Sequence, residues 1–520
     1  MPANLIGLPE RITYNRGYVV GVAFIGLSLF ATLILLTLNS ELSRTFPYFF
    51  LLPWILLLLF VLILPSVILF RHGKFNLGNP LVFATWSYFF PAFVLGGIAL
   101  AVGWSQPYFL SYIQDAKTNL PWTIILIMLG YLGLAAGYFL PIGKAAGRIV
   151  GDYFTISSTT PISSFMLPGM LLLLVGILNS AIALELGVIG YQGNKEVASY
   201  DGLIILSTLF WLEATFVLWY VVFKSGQVNV RSLSVVGVLI TTSIFKASYS
   251  GNRGSLLQSL ITVLIAFTLS GRSLTVKRTL IGSVLLILLL IVGMIYGTTF
   301  RNVRGDQTVG GIDTYTDNVI ETIRRVNDNS GVDVVEFGLT HLAERLDVVS
   351  SLAVVVSNHE ELAPYEESYG LDRNIEKDFV TTFIPRVLWN DKPVASDARR
   401  YGELYFDYGE NSFAMTLIGD LLRNFGISGV FFGMGLLGIF LRTIYRALVE
   451  NREVTMARAT LYFMLLVSIS YEGFYGLVFP YFIKIGIASL AGILLVTLLA
   501  KFFHRSAAGS MGLRSEGDHR

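Results

Sequence analysis

Runs of about 20 consecutive, mostly apolar residues recur along this chain, and no other feature constrains its fold as strongly, because a helix of that length crosses the hydrocarbon core of a bilayer. They lie near residues 18–38, 48–70, 80–103, 121–141, 165–187, 203–223, 231–247, 255–270, 279–298, 427–449, 459–478 and 480–500. The seventh and eighth are short, and the last two are separated only by Pro480. The expected class is an all-α polytopic membrane protein with about twelve transmembrane helices.

Composition agrees. Of 520 residues, 54% are hydrophobic and 14% charged, with a mean hydropathy of +0.66, whereas soluble domains carry about a quarter charged residues. A net charge of +2 points away from nucleic acid as a partner. The absence of Cys excludes disulfides, Fe–S clusters and Cys-ligated zinc. The first apolar run follows Arg11 and Arg16 and ends in Asn-Ser-Glu without a small-x-small cleavage site, so it reads as a retained anchor.

Charge placement gives an orientation. With both termini cytoplasmic, the inner segments hold 19 basic residues, while the short outer connections hold only Arg44, Lys117, Lys195, Lys246 and Arg253, the asymmetry of the positive-inside rule. The expected organisation is nine helices over 1–298, an extracytoplasmic loop over 299–426, three helices over 427–502 and a disordered cytoplasmic tail over 503–520. Residues 299–425 carry 22 acidic and 12 basic side chains and are expected to fold in water. Helical spacing runs from Val332 to Asn358, and Ser412 to Phe425 reads as a short helix at the outer interface.

Ionisable side chains in membrane spans are costly and point to function. Glu185, Lys246, Arg253, Arg301, Glu472 and Lys484 fall near outer helix ends, and Glu213 alone near the middle. A secondary transporter concentrates such groups at the midplane instead. Arg253 stands in Tyr-Ser-Gly-Asn-Arg-Gly-Ser, where flanking glycines leave its guanidinium fork free for phosphate oxygens. Arg301, Arg304, His341, Arg345, Arg386, Lys392, Arg399, Arg400 and Arg423 form a basic set inside an otherwise acidic segment. Arg400 and Tyr401 open a run of aromatic and acidic residues suited to sugar rings and also to a membrane interface. No Gly-x-x-x-x-Gly-Lys-Ser/Thr, His-Glu-x-x-His or Gly-x-Ser-x-Gly occurs, so a nucleotide motor, a zincin and a serine hydrolase each lack their usual signature.

Four segments together resemble the Wzy-type O-antigen and oligosaccharide repeat-unit polymerases, including the enterobacterial common antigen polymerase branch. They are Ser250-Gly251-Asn252-Arg253; Phe383-Ile384-Pro385-Arg386-Val387-Leu388-Trp389-Asn390-Asp391-Lys392-Pro393; Thr416-Leu417-Ile418-Gly419; and Glu472-Gly473. The likeness covers about residues 240–485. It implies a GT-C-like fold in the bacterial inner membrane and, as substrate, an undecaprenyl-diphosphate-linked oligosaccharide, with a chain-length regulator and a flippase of the same pathway as partners beside membrane lipid. The reaction implied is en bloc glycosyl transfer without metal or cofactor. Arg253, helped by Arg345 and by Arg386 or Lys392, would neutralise the departing diphosphate. Candidates for the general base are Glu472, His341 and Glu344, and Glu472 could instead orient Arg253 through an ion pair. The rivals are an O-antigen ligase acting on lipid A core, a lipid-linked oligosaccharide flippase and a non-catalytic scaffold.

Overall fold

The computed structural model describes residues 28, 30–36, 44–153, 160–189, 200–226, 229–250, 254–272, 276–305, 311–328, 331–384, 388–389, 391–393, 395–409 and 413–517. Helices account for its regular structure, and no strand occurs among the described residues. In chain order they are α1 (Leu52–Arg71), α2 (Pro80–Ala101), α3 (Ala116–Phe139), α4 (Pro141–Tyr153), α5 (Met166–Glu185), α6 (Asp201–Ser225), α7 (Val230–Ser250), α8 (Gly254–Leu269) and α9 (Val276–Arg304). Then come α10 (Gly311–Asp328), α11 (Gly331–Leu346), α12 (Val348–Leu362), α13 (Asn374–Phe383), α14 (Ala398–Phe406), α15 (Leu417–Leu448), α16 (Met456–Val467) and α17 (Tyr475–Gly517).

Among the described residues, eight helices are long and apolar enough to cross a membrane: α1, with a short 3-10 turn before it, α2, α3, α5 with its preceding turn, α6, α7, α15 and α17. The chain is an all-α polytopic membrane protein. The runs at 255–270 and 459–478 form the shorter apolar helices α8 and α16, and the run at 279–298 lies within the 29-residue α9. Of the run at 18–38, only residues 28 and 30–36 are described. Helix α17 continues to Gly517, through the segment whose composition predicted an irregular tail.

Two large apolar clusters hold the bundle together. One joins α1, α2, α3, α12, α14 and the first half of α15, and the other joins α5, α6, α8, α16, α17 and the end of α15. Their spine is α15, against which α3 and then α4 pack in sequence. Close approach needs glycine here. A Cβ at Gly133 would collide with the Phe431 carbonyl, and one at Gly137 with that of Gly435. Association in lipid relies on such small-residue contacts, because apolar burial gains little between helices already in an apolar solvent.

The 299–426 segment packs into the bundle. Nine consecutive residues of α12, Val348 to Val356, are buried, and the helix packs against α2, α3 and α15. Its sequence Val-Val-Ser-Ser-Leu-Ala-Val-Val-Val carries no charge. The two serines are satisfied locally, Ser351 by the Val348 carbonyl and Ser350 by Asp347. The helical pattern from 332 to 358 is broken in two at Asp347, which caps α12 by accepting from Ser350 N at 3.0 Å and also accepts from Ser105 Oγ at 2.8 Å. Gly96 lets the Leu346 carbonyl reach α2, since any Cβ there would run into it.

Helix α15 likewise combines two pieces. Leu417–Phe425 is the short helix expected before the span, and Gly426, with φ 66° and ψ −164°, turns it into the long apolar part. The last two spans are separated at Ser468–Phe474 and not at Pro480, which lies inside α17.

Candidate functional site

Helix α16 stops at Val467 and α17 starts at Tyr475, so seven non-helical residues interrupt what is otherwise an apolar run. Exposed polar backbone is not tolerated in lipid, and such breaks occur where protein surrounds them or where they line a polar cavity. Here α15 satisfies part of the break. Leu417 N donates to the Tyr471 carbonyl at 3.2 Å, and Tyr475 N donates to Asp420 Oδ2 at 2.7 Å. Thr416, which caps α15 through a 3.0 Å bond from Gly419 N, holds φ at 61°. A β-branched residue rarely adopts that conformation, which costs of order 1–3 kcal/mol and is retained where its surroundings enforce it.

Glu472 occupies this interruption. Its Oε2 accepts from Arg345 Nη2 at 2.9 Å, which joins the end of α11 to the break between α16 and α17. The Arg345 and Glu472 side chains are 56% and 36% exposed, so water screens the pair, and its net worth is about 0–1 kcal/mol. An anionic ligand can displace it cheaply. One turn earlier on α11, His341 Nδ1 lies 3.5 Å from Glu344 Oε2. All three base candidates therefore lie on or beside the last two turns of α11.

A buried polar network supports the same break. Arg423 grips Glu366 with two bonds, Nε to Oε1 at 2.7 Å and Nη2 to Oε2 at 3.1 Å. Tyr405 donates to the same carboxylate at 2.7 Å, and Asn374 Nδ2 donates to Asp420 Oδ1 at 3.0 Å. The Arg423 and Glu366 side chains are 1% and 8% exposed. Bidentate geometry and the extra donors offset the cost of burying these charges. The network ties α13, α14 and the start of α15 to Tyr475, and so fixes the loop that presents Glu472.

The remaining sequence candidates are dispersed. Lys392 Nζ donates to the Ile384 carbonyl at 3.0 Å, and its charge reaches Lys484 on α17. Arg400 is exposed beside Gly370. Tyr401 is fully buried, packed against Tyr405, Phe406 and Phe474, so its ring offers no open face to a sugar in this conformation. Burial pushes the Tyr401 and Tyr405 phenols up. Arg253 and Arg386 lie outside the described residues, as does the side chain of Arg301. Glu472 pairs with Arg345, where the sequence reading weighed Arg253. Arg423, counted there among the external basic residues, is a neutralised core residue.

Burial also acts on two acids of the 299–426 segment. It pushes the Asp347 carboxyl up to about 6, against the opposing bonds from Ser350 and Ser105. Asp378, which accepts from Ser396 N at 3.1 Å, is raised for the same reason.

Fold and site together define a helical membrane protein with an accessible Arg–Glu pair at a helix break, backed by a buried ionic network. The chain belongs to the family described as Domain of unknown function (DUF8712), which matches residues 178–452. That range contains His341, Glu344 and Arg345 and ends before Glu472. No curated protein and no solved structure matches the chain.

Proposed function

We propose that this protein polymerises undecaprenyl-diphosphate-linked oligosaccharide repeat units at the outer face of a bacterial inner membrane, in the assembly of an O-antigen, capsule or exopolysaccharide. The reading includes a GT-C-like arrangement of about twelve spans, cytoplasmic termini and an extracytoplasmic 299–426 segment. The observation that carries it is the Arg345–Glu472 pair, which sets a displaceable guanidinium beside a carboxylate at a break between two apolar helices.

In the reaction, a hydroxyl oxygen of the incoming repeat unit attacks the anomeric carbon of the growing glycan. The bond from that carbon to the diphosphate oxygen breaks, and its electron pair leaves with undecaprenyl diphosphate. Arg345 binds the charge developing on the leaving group, as preorganised cations do at phosphate oxygens. Glu472, once released from Arg345, accepts the hydroxyl proton, and His341 and Glu344, on the last two turns of α11 that carry Arg345, are the alternative acceptors. Lys392 and Lys484 add positive potential along the first half of α17.

The test gives purified protein undecaprenyl-diphosphate-linked repeat units, without nucleotide or added metal, and resolves the products by length. A ladder is expected. Transfer of finished glycan to lipid A core, or movement of the lipid across liposomes without bond formation, would replace this reading with a ligase or a flippase.

A further inference from the structure

A third residue belongs with the Arg345–Glu472 pair. Between Thr85 and Leu95, α2 is π-helical, with Pro91 inside the stretch. Proline has no N–H to give to the α-helical ladder, and π-helical turns of this kind recur at functional sites. Tyr88 sits in this stretch. Its ring stacks on Tyr471, the neighbour of Glu472, with centroids 5.3 Å apart and planes at 17°. Helix α11, which carries Arg345, packs against the same π-helical stretch.

The Tyr88 hydroxyl is buried and has no hydrogen-bond partner among the described residues. It nevertheless stands in the electric field of both Glu472 and Arg345. A buried, unused donor costs about 1–3 kcal/mol, and such a cost at a site with two charged neighbours points to a use in another state. In this conformation Glu472 Oε2 is occupied by Arg345. A diphosphate competes for that guanidinium, and when it wins, Glu472 loses its cation. The Tyr88 phenol, stacked on the residue next to Glu472, is a neutral donor that can then turn to the carboxylate, without proton transfer, and leave its second oxygen free for an incoming hydroxyl.

We propose that Tyr88 is a positioning residue, the donor that replaces Arg345 on Glu472 when a lipid diphosphate draws Arg345 away. The inference rests on the reading of Arg345 as the diphosphate ligand. It is tested by measuring undecaprenyl diphosphate binding to nanodisc-embedded wild type, Tyr88→Phe, Glu472→Gln and the double variant. Phenylalanine keeps the ring stack, and monodispersity with melting at or above that of wild type confirms the fold, since the stranded hydroxyl is gone. Tyr88→Phe is expected to weaken binding by about tenfold with Glu472 present and by less than about twofold in the Glu472→Gln background, because a coupled pair shows a non-additive cycle. Equal loss in both backgrounds marks a packing effect and overturns the inference, as does unchanged binding by Tyr88→Phe. If wild type binds no undecaprenyl diphosphate, the polymerase reading falls and takes this inference with it. Wild-type binding with an uncoupled cycle removes Tyr88 alone.

Discussion

Asp347 gives a pH-dependent signature that belongs to the junction beside Arg345. It is 3% exposed, and its carboxyl titrates near 6 against an ordinary 3.8. The folded state therefore binds this proton more tightly than the unfolded chain does. Its contribution to stability is complete below about pH 4 and is lost as pH rises through about 6. A carboxyl that titrates about two pH units higher folded than unfolded changes stability by about 3 kcal/mol across that window. Asp347→Asn keeps one acceptor oxygen, for the Ser350 N–H, turns an amide N–H toward the Ser105 and Ser350 hydroxyls, which can accept it, and removes the titration. Thermal unfolding of the detergent-solubilised protein from pH 4 to 7.5 measures it: subtracting the variant's curve cancels the other titrating groups, and the wild type should lose stability relative to the variant as pH rises. Parallel curves, or a relative gain with rising pH, would refute the reasoning.

Arg423→Ala should destabilise the protein by about 3–5 kcal/mol, because it strands the buried Glu366 carboxylate, and this is read as a lowered Tm in detergent; Arg423→Lys should recover only part of the loss, since an ammonium cannot make the bidentate contact. Gly137→Leu should force α3 away from α15, at a cost of at least about 1–3 kcal/mol, and is expected to reduce the yield of monodisperse protein, whereas Leu132→Ala, at an exposed position of the same helix, should leave that yield unchanged. Lys392→Ala should weaken binding of undecaprenyl diphosphate by about three- to tenfold with little change in Tm, as loss of a cation acting through longer-range electrostatics does, and the effect should shrink at high salt.

The apolar runs made the helical class legible, since a backbone in lipid must satisfy itself within each span. Glu472 and Arg345 could each be singled out, the first as a costly ionisable residue near a span end and the second as a base in an acidic segment. Their partnership could not, because it depends on how a helix of the polar segment docks against a distant break. The position of that break was hidden by the apolar neighbours of Ser468, Ser470 and Gly473, whose small and polar character was the available signal. Tyr88 was missed because a tyrosine in an apolar span looks like its neighbours; the nearby Pro91 was the one local hint of an irregular helix. The charge-free stretch at Val348–Val356 could have been read as buried, had the acids around it not dominated the reading of the segment. Arg423 looked external because its acid partner Glu366 lies far from it in sequence.

The most direct test of the central claim is the kcat/KM of Arg345→Ala in the repeat-unit polymerisation assay, at matched amounts of folded protein. The account predicts a fall of at least about a hundredfold, the scale on which a preorganised charge acts on a transition state. A value within about twofold of wild type would contradict it and leave the Arg345–Glu472 pair as a surface contact without a part in the chemistry.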